Sequence, residues 1–184
     1  MIRSSSSPPP AEDSRRPLEG PKDGVISRDA AGDTVYISPD PIDIAGLLKT
    51  AHHPGAGAVL LFSGDVRDNN RGREVAFLEY EAHYVLASKM IAEILHQAAG
   101  KWSLQLAIAR HRVGKVAIGE TAVVVITASA HRSEAYAASR WIIDRIKHEA
   151  PIWKCEYFAD GTHEWGNNCN CQAVTGDVSK HIYE

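Results

Sequence analysis

The sequence predicts an α+β fold, a sandwich in which two long helices pack on one face of a mainly antiparallel sheet. Three observations carry that expectation. Continuous apolar runs at 57–64 and 121–127 read as buried strands, and two long segments, 85–102 and 129–149, repeat their apolar residues at helical spacing. The elements follow one another as βα, ββα, ββα, ββ. At 184 residues the chain makes one domain with tails, large enough to bury a core without a metal or a disulfide.

Residues 1–32 are rich in Ser, Pro and charge and nearly devoid of apolar side chains, so they are expected to be disordered. The folded domain, 33–166, opens with a short alternating strand from Asp33 to Ser38. Asp40 then caps a helix, with Pro41 at its first position, Asp43 favouring the dipole, and Ile42, Ala45 and Leu48 on its apolar face. The strand 57–64 runs into a polar loop, 65–73. Alternation resumes at 75–83, with Val75, Phe77 and Leu78 inward. The helix from Val85 to Trp102 turns Leu86, Met90, Ile91, Ile94 and Leu95 to the core, with His83 and Tyr84 as its cap region. Strands 104–113 and 121–127 are expected to pair as an antiparallel hairpin across a short loop at Gly119-Glu120. Ala135, Ala138, Ile142, Ile143 and Ile146 form the stripe of the helix 129–149, which Pro151 ends. A strand, Ile152 to Phe158, a tight turn at Asp160-Gly161 and a short return strand close the domain, and 167–184 reads as a polar tail.

Several function classes are disfavoured at once. A net charge of -3 gives no global field for nucleic acid, so anion binding has to come from a local cluster. No apolar run approaches the length of a membrane span, and the N-terminus lacks the apolar core of a secretory signal. The three cysteines, Cys155, Cys169 and Cys171, are an odd set, which points to a reducing, cytosolic compartment. The Cys169-Asn-Cys171 spacing does not suit zinc, so no metal or cofactor is expected.

The local cluster is found at the two ends of the second long helix. His131-Arg132 opens it, where unsatisfied N–H groups favour an anion and the arginine fork suits phosphate or carboxylate. Cations there oppose the helix dipole, whereas Lys147 at the other end is favoured by it. In KHEAPIWKCE, Lys154 and Glu156 share one face of the following strand, and Trp153 and Cys155 share the other. Lys154 beside Glu156 is either a surface ion pair or, in a cluster of positive charge, a lysine of lowered pKa able to act as acid, base or nucleophile. Arg67 lies just past a buried strand; Arg71, Arg73 and His163 read as surface.

Three runs then carry a resemblance. GAVLLFSGDVRDNNRGREVAFLEYEAH, HRVGKVAIGETAVVVITASAHRSEAYAA and IKHEAPIWKCEYFADGTHEW, in this order and spacing, resemble the large, catalytic subunit of molybdopterin synthase. The resemblance covers about Asp33 to Trp165. SAHR followed by K-x3-P-x-W-K-x-E is a specific combination. It implies an α/β hammerhead-type sandwich with a small additional antiparallel sheet. The implied activity is a sulfurtransferase of molybdenum cofactor biosynthesis. Sulfur passes from the thiocarboxylated C-terminal Gly-Gly of a small ubiquitin-like subunit to cyclic pyranopterin monophosphate, forming the molybdopterin dithiolene. The implied partners are that small subunit and a second copy of the large one, a homodimer at the core of a heterotetramer, with no nucleic acid and no membrane.

Carried over residue by residue, the resemblance makes Lys147 and Lys154 catalytic. It places Arg67, His131, Arg132, Lys147, Lys154, Cys155 and Glu156 around the substrate. His131 and Arg132 match the pair at the substrate phosphate, Glu156 is the nearby acid, and Cys155 contributes at most its backbone. The N-terminal extension and the Cys169-Asn-Cys171 tail depart from the pattern without touching the pocket motifs. A docking module without turnover, or a phosphate- or RNA-binding domain, is the competing reading. The intact set Lys147, Lys154, His131 and Arg132 argues against the first, and the acidic net charge against the second.

Overall fold

The computed structural model describes residues 25–28 and 34–166. The described residues form two sheets and three helices. The first sheet has five strands in the order β1 (Val25–Arg28), β2 (Thr34–Ser38), β6 (Leu106–Arg112), β8 (Thr121–Ser129) and β3 (Ala58–Asp65). All its pairs are antiparallel except β2–β6. Strand β1 falls inside the stretch read as disordered. Its backbone pairs with β2, Val25 opposite Ile37, and so covers an edge that would otherwise be open. The remainder of 1–32, and Cys169 and Cys171 with the rest of the tail, lie outside the described residues.

Helices α2 (Tyr84–Trp102) and α3 (Arg132–Glu149) pack together on one face of this sheet. Ile91, Ile94, Leu95, Ile142, Ile143 and Ile146 meet Val35, Ile37, Ala107, Ala109, Val123 and Val125 there. The expected α3 stripe is buried throughout, whereas Leu86 of α2 is exposed. The short helix α1 (Ile44–Thr50) lies on the opposite face, over Ile108, Val124 and Ile126. The two long helices share one face, as expected, and the short one covers the other. This explains why β8 is apolar at consecutive positions rather than alternate ones, since both its faces are covered. Each fully buried aliphatic side chain contributes about 1.5–3 kcal/mol. The cap of α1 is Asp43 rather than Asp40: its carboxylate accepts from the Gly46 N–H at 2.9 Å.

The second sheet runs β10 (His163–Gly166), β9 (Ile152–Phe158), β5 (Arg73–Ala82), β4 (Asn69–Asn70), with β7 (Gly114–Ala117) also on β5. Strands β6 and β8 pair as expected, but the segment between them is more than a loop. Gly114, at φ 72, turns the chain out of the first sheet so that β7 joins the second. Val66, Val116 and Ala122 fill the seam between the sheets, with Leu78 and Tyr80 packed on them. In β5 the register shifts between Val75 and Phe77, so two residues stand against one of β9. That bulge reverses the alternation: Val75, Leu78 and Tyr80 face the seam. Phe77, expected inward, turns outward and stacks on Tyr157 at 4.4 Å.

Candidate active site

The site lies where the C-terminal end of α3 meets the seam. Ala150 leaves the helix in an extended conformation, Pro151 follows, and β9 begins at Ile152. The Pro151 carbonyl is held by the His83 N–H at 3.0 Å. This two-residue exit brings Lys147, in the last helical turn, beside Lys154, the third residue of the strand. In the register of the second sheet Lys154 stands opposite Tyr80 on one side and Gly166 on the other. Gly166 has no side chain, and a Cβ there would lie 3.3 Å from the Lys154 Cε. The absence of that atom leaves room for the lysine stem.

Lys154 Nζ lies 2.6 Å from Glu156 Oε1, and Asn70 Nδ2 donates to Glu156 Oε2 at 2.5 Å. Glu156 is buried. Burial pushes its pKa up, but the bonds from Lys154 and Asn70 and the charges of Lys154 and Arg67 outweigh this and hold it below the usual value. Asn70 is fixed by a two-residue hairpin turn, Arg71-Gly72, with both φ positive (52 and 80) and the Gly72 N–H bonded to Asn69 Oδ1. Lys147 is exposed over the whole residue, yet it lines the pocket. Loss of hydration there and the charge of Lys154 lower its pKa, Asp144 opposes, and Arg67 adds to the lowering. The Tyr80 phenol is pushed up to about 12 by burial and by Glu156, so it stays protonated.

Two compartments adjoin here. One is a polar basin of about 180 Å³ whose walls include Asp65, Arg67, Asn69, Asn70 and Glu156. The other is a chamber of about 90 Å³, mostly apolar, with Val123, Ile143, Ile146, Ile152 and His111 in its walls. Tyr80, Val123, Lys147 and Lys154 line both. In the basin wall, Asp65 accepts from Ser63 Oγ at 2.6 Å and Thr121 Oγ1 at 2.7 Å, and these bonds lower its pKa. In the chamber wall the His111 ring stands edge-on to Tyr80, centroids 5.2 Å apart. Its Nδ1 is 2.6 Å from the Arg112 carbonyl oxygen, which can only accept, so Nδ1 carries the proton. Burial drives the His111 pKa down to about 4; the Arg112 carbonyl opposes this and the Lys147 charge adds to it.

Four residues singled out in the sequence therefore come together: Arg67, Lys147, Lys154 and Glu156. Three do not. His131 and Arg132 are exposed at the far end of α3, about 22 Å from Lys147 by helical rise. The His131 side chain makes no capping bond. Cys155 is 1 % exposed and projects from the opposite face of β9, where it meets Tyr157; burial raises its thiol pKa, and it lines neither compartment. Asn70, Tyr80 and His111 are site residues that the sequence reading missed. A histidine inside an apolar strand was the available signal for His111. Tyr80 needed the β5 bulge, and Asn70 the hairpin.

The chemistry of such a site suits two anionic or polar reactants that meet at a pair of lysines. Comparison with known proteins gives it a family. Residues 37–149 match the model of the family described as MoaE protein. That span contains Arg67, His131, Arg132 and Lys147 and stops before Lys154. The chain is 40% identical over 129 residues to the molybdopterin synthase catalytic subunit of Bacillus subtilis, covering 70% of this chain and 82% of that one. It is 38% identical over 131 residues to the subunit of the same name from Thermoplasma volcanium, covering 71% and 96%. Its fold matches the crystal structure of molybdopterin synthase from Staphylococcus aureus with a TM-score of 0.67 and 34% identity, covering 71% of this chain and 94% of that one. The chain belongs to the MoaE family, that of the molybdopterin synthase catalytic subunits.

Proposed function

We propose that this chain is the catalytic subunit of a molybdopterin synthase. It transfers sulfur from the thiocarboxylated C-terminus of a small ubiquitin-like subunit to cyclic pyranopterin monophosphate. The observation that carries this reading is the shared wall: a polar basin and a mostly apolar chamber adjoin at Lys147 and Lys154. A phosphate-bearing pterin needs the donors of the basin, with Arg67 and Asn70. An extended tail of glycines, without side chains, suits the narrower chamber. The two would then meet at the lysines, whose positive charge offsets the repulsion between two anions.

Attack of sulfur on the pterin side chain requires proton transfers, and Lys147, with its lowered pKa, is placed to supply them. Water then cleaves the acyl–sulfur bond joining partner and pterin, leaving the sulfur on the pterin, and Lys154, held by Glu156 at 2.6 Å, stabilises the carboxylate so released on the partner. Glu156 orients the lysine rather than acting as the acid itself. A comparison of Glu156→Gln with Glu156→Ala tests that role, because only the first keeps an oxygen for Lys154 and Asn70. Equal losses of activity in the two would count against it.

His131 and Arg132 cannot join this pocket within one chain. In this reading they bind the substrate phosphate in the pocket of a second copy, across the homodimer. Location in the cytosol belongs to the same reading and is supported by the free thiol of Cys155. Among the described residues no helix is long and apolar enough to cross a membrane. The test is reconstitution: the purified chain, thiocarboxylated small subunit and cyclic pyranopterin monophosphate, assayed for molybdopterin with Lys147→Ala alongside. Formation of product that depends on Lys147 is expected. A stable complex with the small subunit and no product would instead indicate a docking module.

A further inference from the structure

We propose that His111 is a positioning residue that reads the partner's tail: its Nε2 accepts a peptide N–H of the glycine segment lying in the chamber beside Lys147. The assignment rests on the function proposed above and adds to it a residue outside the lysine pair.

Nδ1–H is committed to the Arg112 carbonyl at 2.6 Å, which leaves Nε2 as the ring's one acceptor. Among the described residues no donor is bonded to Nε2. Nε2 is not among the buried polar atoms sealed from water, so a ligand N–H there would take the place of a hydrating water. The ring stays neutral near pH 7, because burial and the Lys147 charge disfavour the imidazolium. It therefore faces the chamber as an acceptor and not as a second cation.

The remaining walls narrow the ligand. Val123, Ile143, Ile146 and Ile152 offer no polar atoms from their side chains. At about 90 Å³ the chamber is half the size of the basin, and a run of main chain without large side chains suits it. A peptide entering such a place leaves its N–H groups without water and must find acceptors for them. His111 and the Tyr80 hydroxyl are the neutral acceptors among the side chains of that wall; Tyr80 stands at the border shared with the basin, where Lys147 and Lys154 suit the anionic terminus. Glycine fits the walls; the acceptor fixes how far along the chamber the chain stops, and so where its last carbon sits relative to Lys147.

The experiment measures binding of the full chain to its small subunit by calorimetry. Two forms of the partner are used, one ending in Gly-Gly and one lacking those two residues. His111→Leu removes both ring nitrogens. His111→Asn keeps a donor for the Arg112 carbonyl but has nothing at Nε2, while His111→Gln can place an amide oxygen there. Leu and Asn are expected to weaken binding of the intact partner about fivefold to tenfold, the worth of one hydrogen bond. Gln is expected to restore it, and none should change binding of the truncated partner. Equal weakening toward both partners, or no weakening toward the intact one, overturns the assignment. Thermal unfolding of each variant separates a folding defect from a tail defect, and Asn serves where Leu does not fold. Failure of the wild-type chain to make product would instead remove the sulfur-transfer reading and this assignment with it, whereas an active wild type with an indifferent His111 removes only the latter.

Discussion

The two ends of α3 both carry cations, and they differ in almost everything else. At the N-terminal end His131 and Arg132 oppose the helix dipole, are exposed, and stand outside the pocket. At the C-terminal end the dipole favours Lys147, yet its pKa is lowered by loss of hydration and by Lys154. The first end accepts an unfavourable position, offset in part by the Glu134 carboxylate in the same helical turn, which interacts with His131. The second has its charge tuned by what surrounds it. The difference teaches that cation and helix end alone do not make a site. What distinguishes Lys147 is the seam between two sheets, which supplies walls, a second lysine and a buried carboxylate.

The largest expected effect tests that distinction. Lys147→Ala should lower the rate of product formation by about 10²-fold or more, in the range for a lost proton-transfer group, while stability stays within about 0.5 kcal/mol as for other surface changes. Single-turnover assays and urea unfolding measure the two quantities. A large loss of stability instead would mean that Lys147 holds the fold and not the chemistry.

Next comes Glu156→Ala, which leaves Lys154 and Asn70 without their shared acceptor and should cost roughly 1–3 kcal/mol. Glu156→Gln should cost less. The pH dependence sharpens this test. The Glu156 pKa is held below its ordinary 4.5, so its stabilisation is present above that value and is lost as pH falls through the lower, folded one. Glu156→Gln should therefore flatten the acid limb below pH 4.5. An unchanged acid limb would show that the pair contributes little.

His111 acts in a different pH window. Its folded pKa of about 4 lies below the ordinary 6.5, so the unfolded chain takes up a proton between these values and the fold does not. Stability should fall as pH drops from 6.5 toward 4, by roughly 3 kcal/mol at most. In His111→Gln that slope should shrink, as read by thermal unfolding across the window. The smallest effect is at the hairpin that holds Asn70. Arg71 has a φ of 52, a conformation disfavoured for arginine. Arg71→Asn should raise stability by a few tenths of a kcal/mol, a rise in melting temperature of a degree or two; a fall would mean that the arginine side chain has a stabilising contact there.

Much of this was legible in the sequence for local reasons. The stripe Ala135, Ala138, Ile142, Ile143 and Ile146 repeats at helical spacing, and burial follows it residue by residue. Lys154 and Glu156 share a strand face because period two forces it. What was not legible depends on contacts distant in sequence. Gly114–Ala117 was given no element of its own, because nothing local shows that it crosses to β5 in the other sheet. Phe77 was placed inward because a bulge cannot be seen from alternation alone. Asp40 and Asp43 are both good caps, and the choice was made by where the helix could pack on Ile108 and Ile126. His131 and Arg132 were grouped with Lys147 by motif, whereas helical rise puts the length of α3 between them.

The most direct test of the contrast between the ends of α3 is subunit complementation. Lys147→Ala and Arg132→Ala chains, each inactive alone, are mixed, allowed to exchange subunits and assayed for molybdopterin with the thiocarboxylated small subunit. If Arg132 serves the pocket of a second copy, each mixed dimer regains one intact site, with Lys147 from one chain and Arg132 from the other, and activity returns. If mixed dimers form and stay inactive, Arg132 and Lys147 have to act within the same chain, and the division of labour along α3 is wrong.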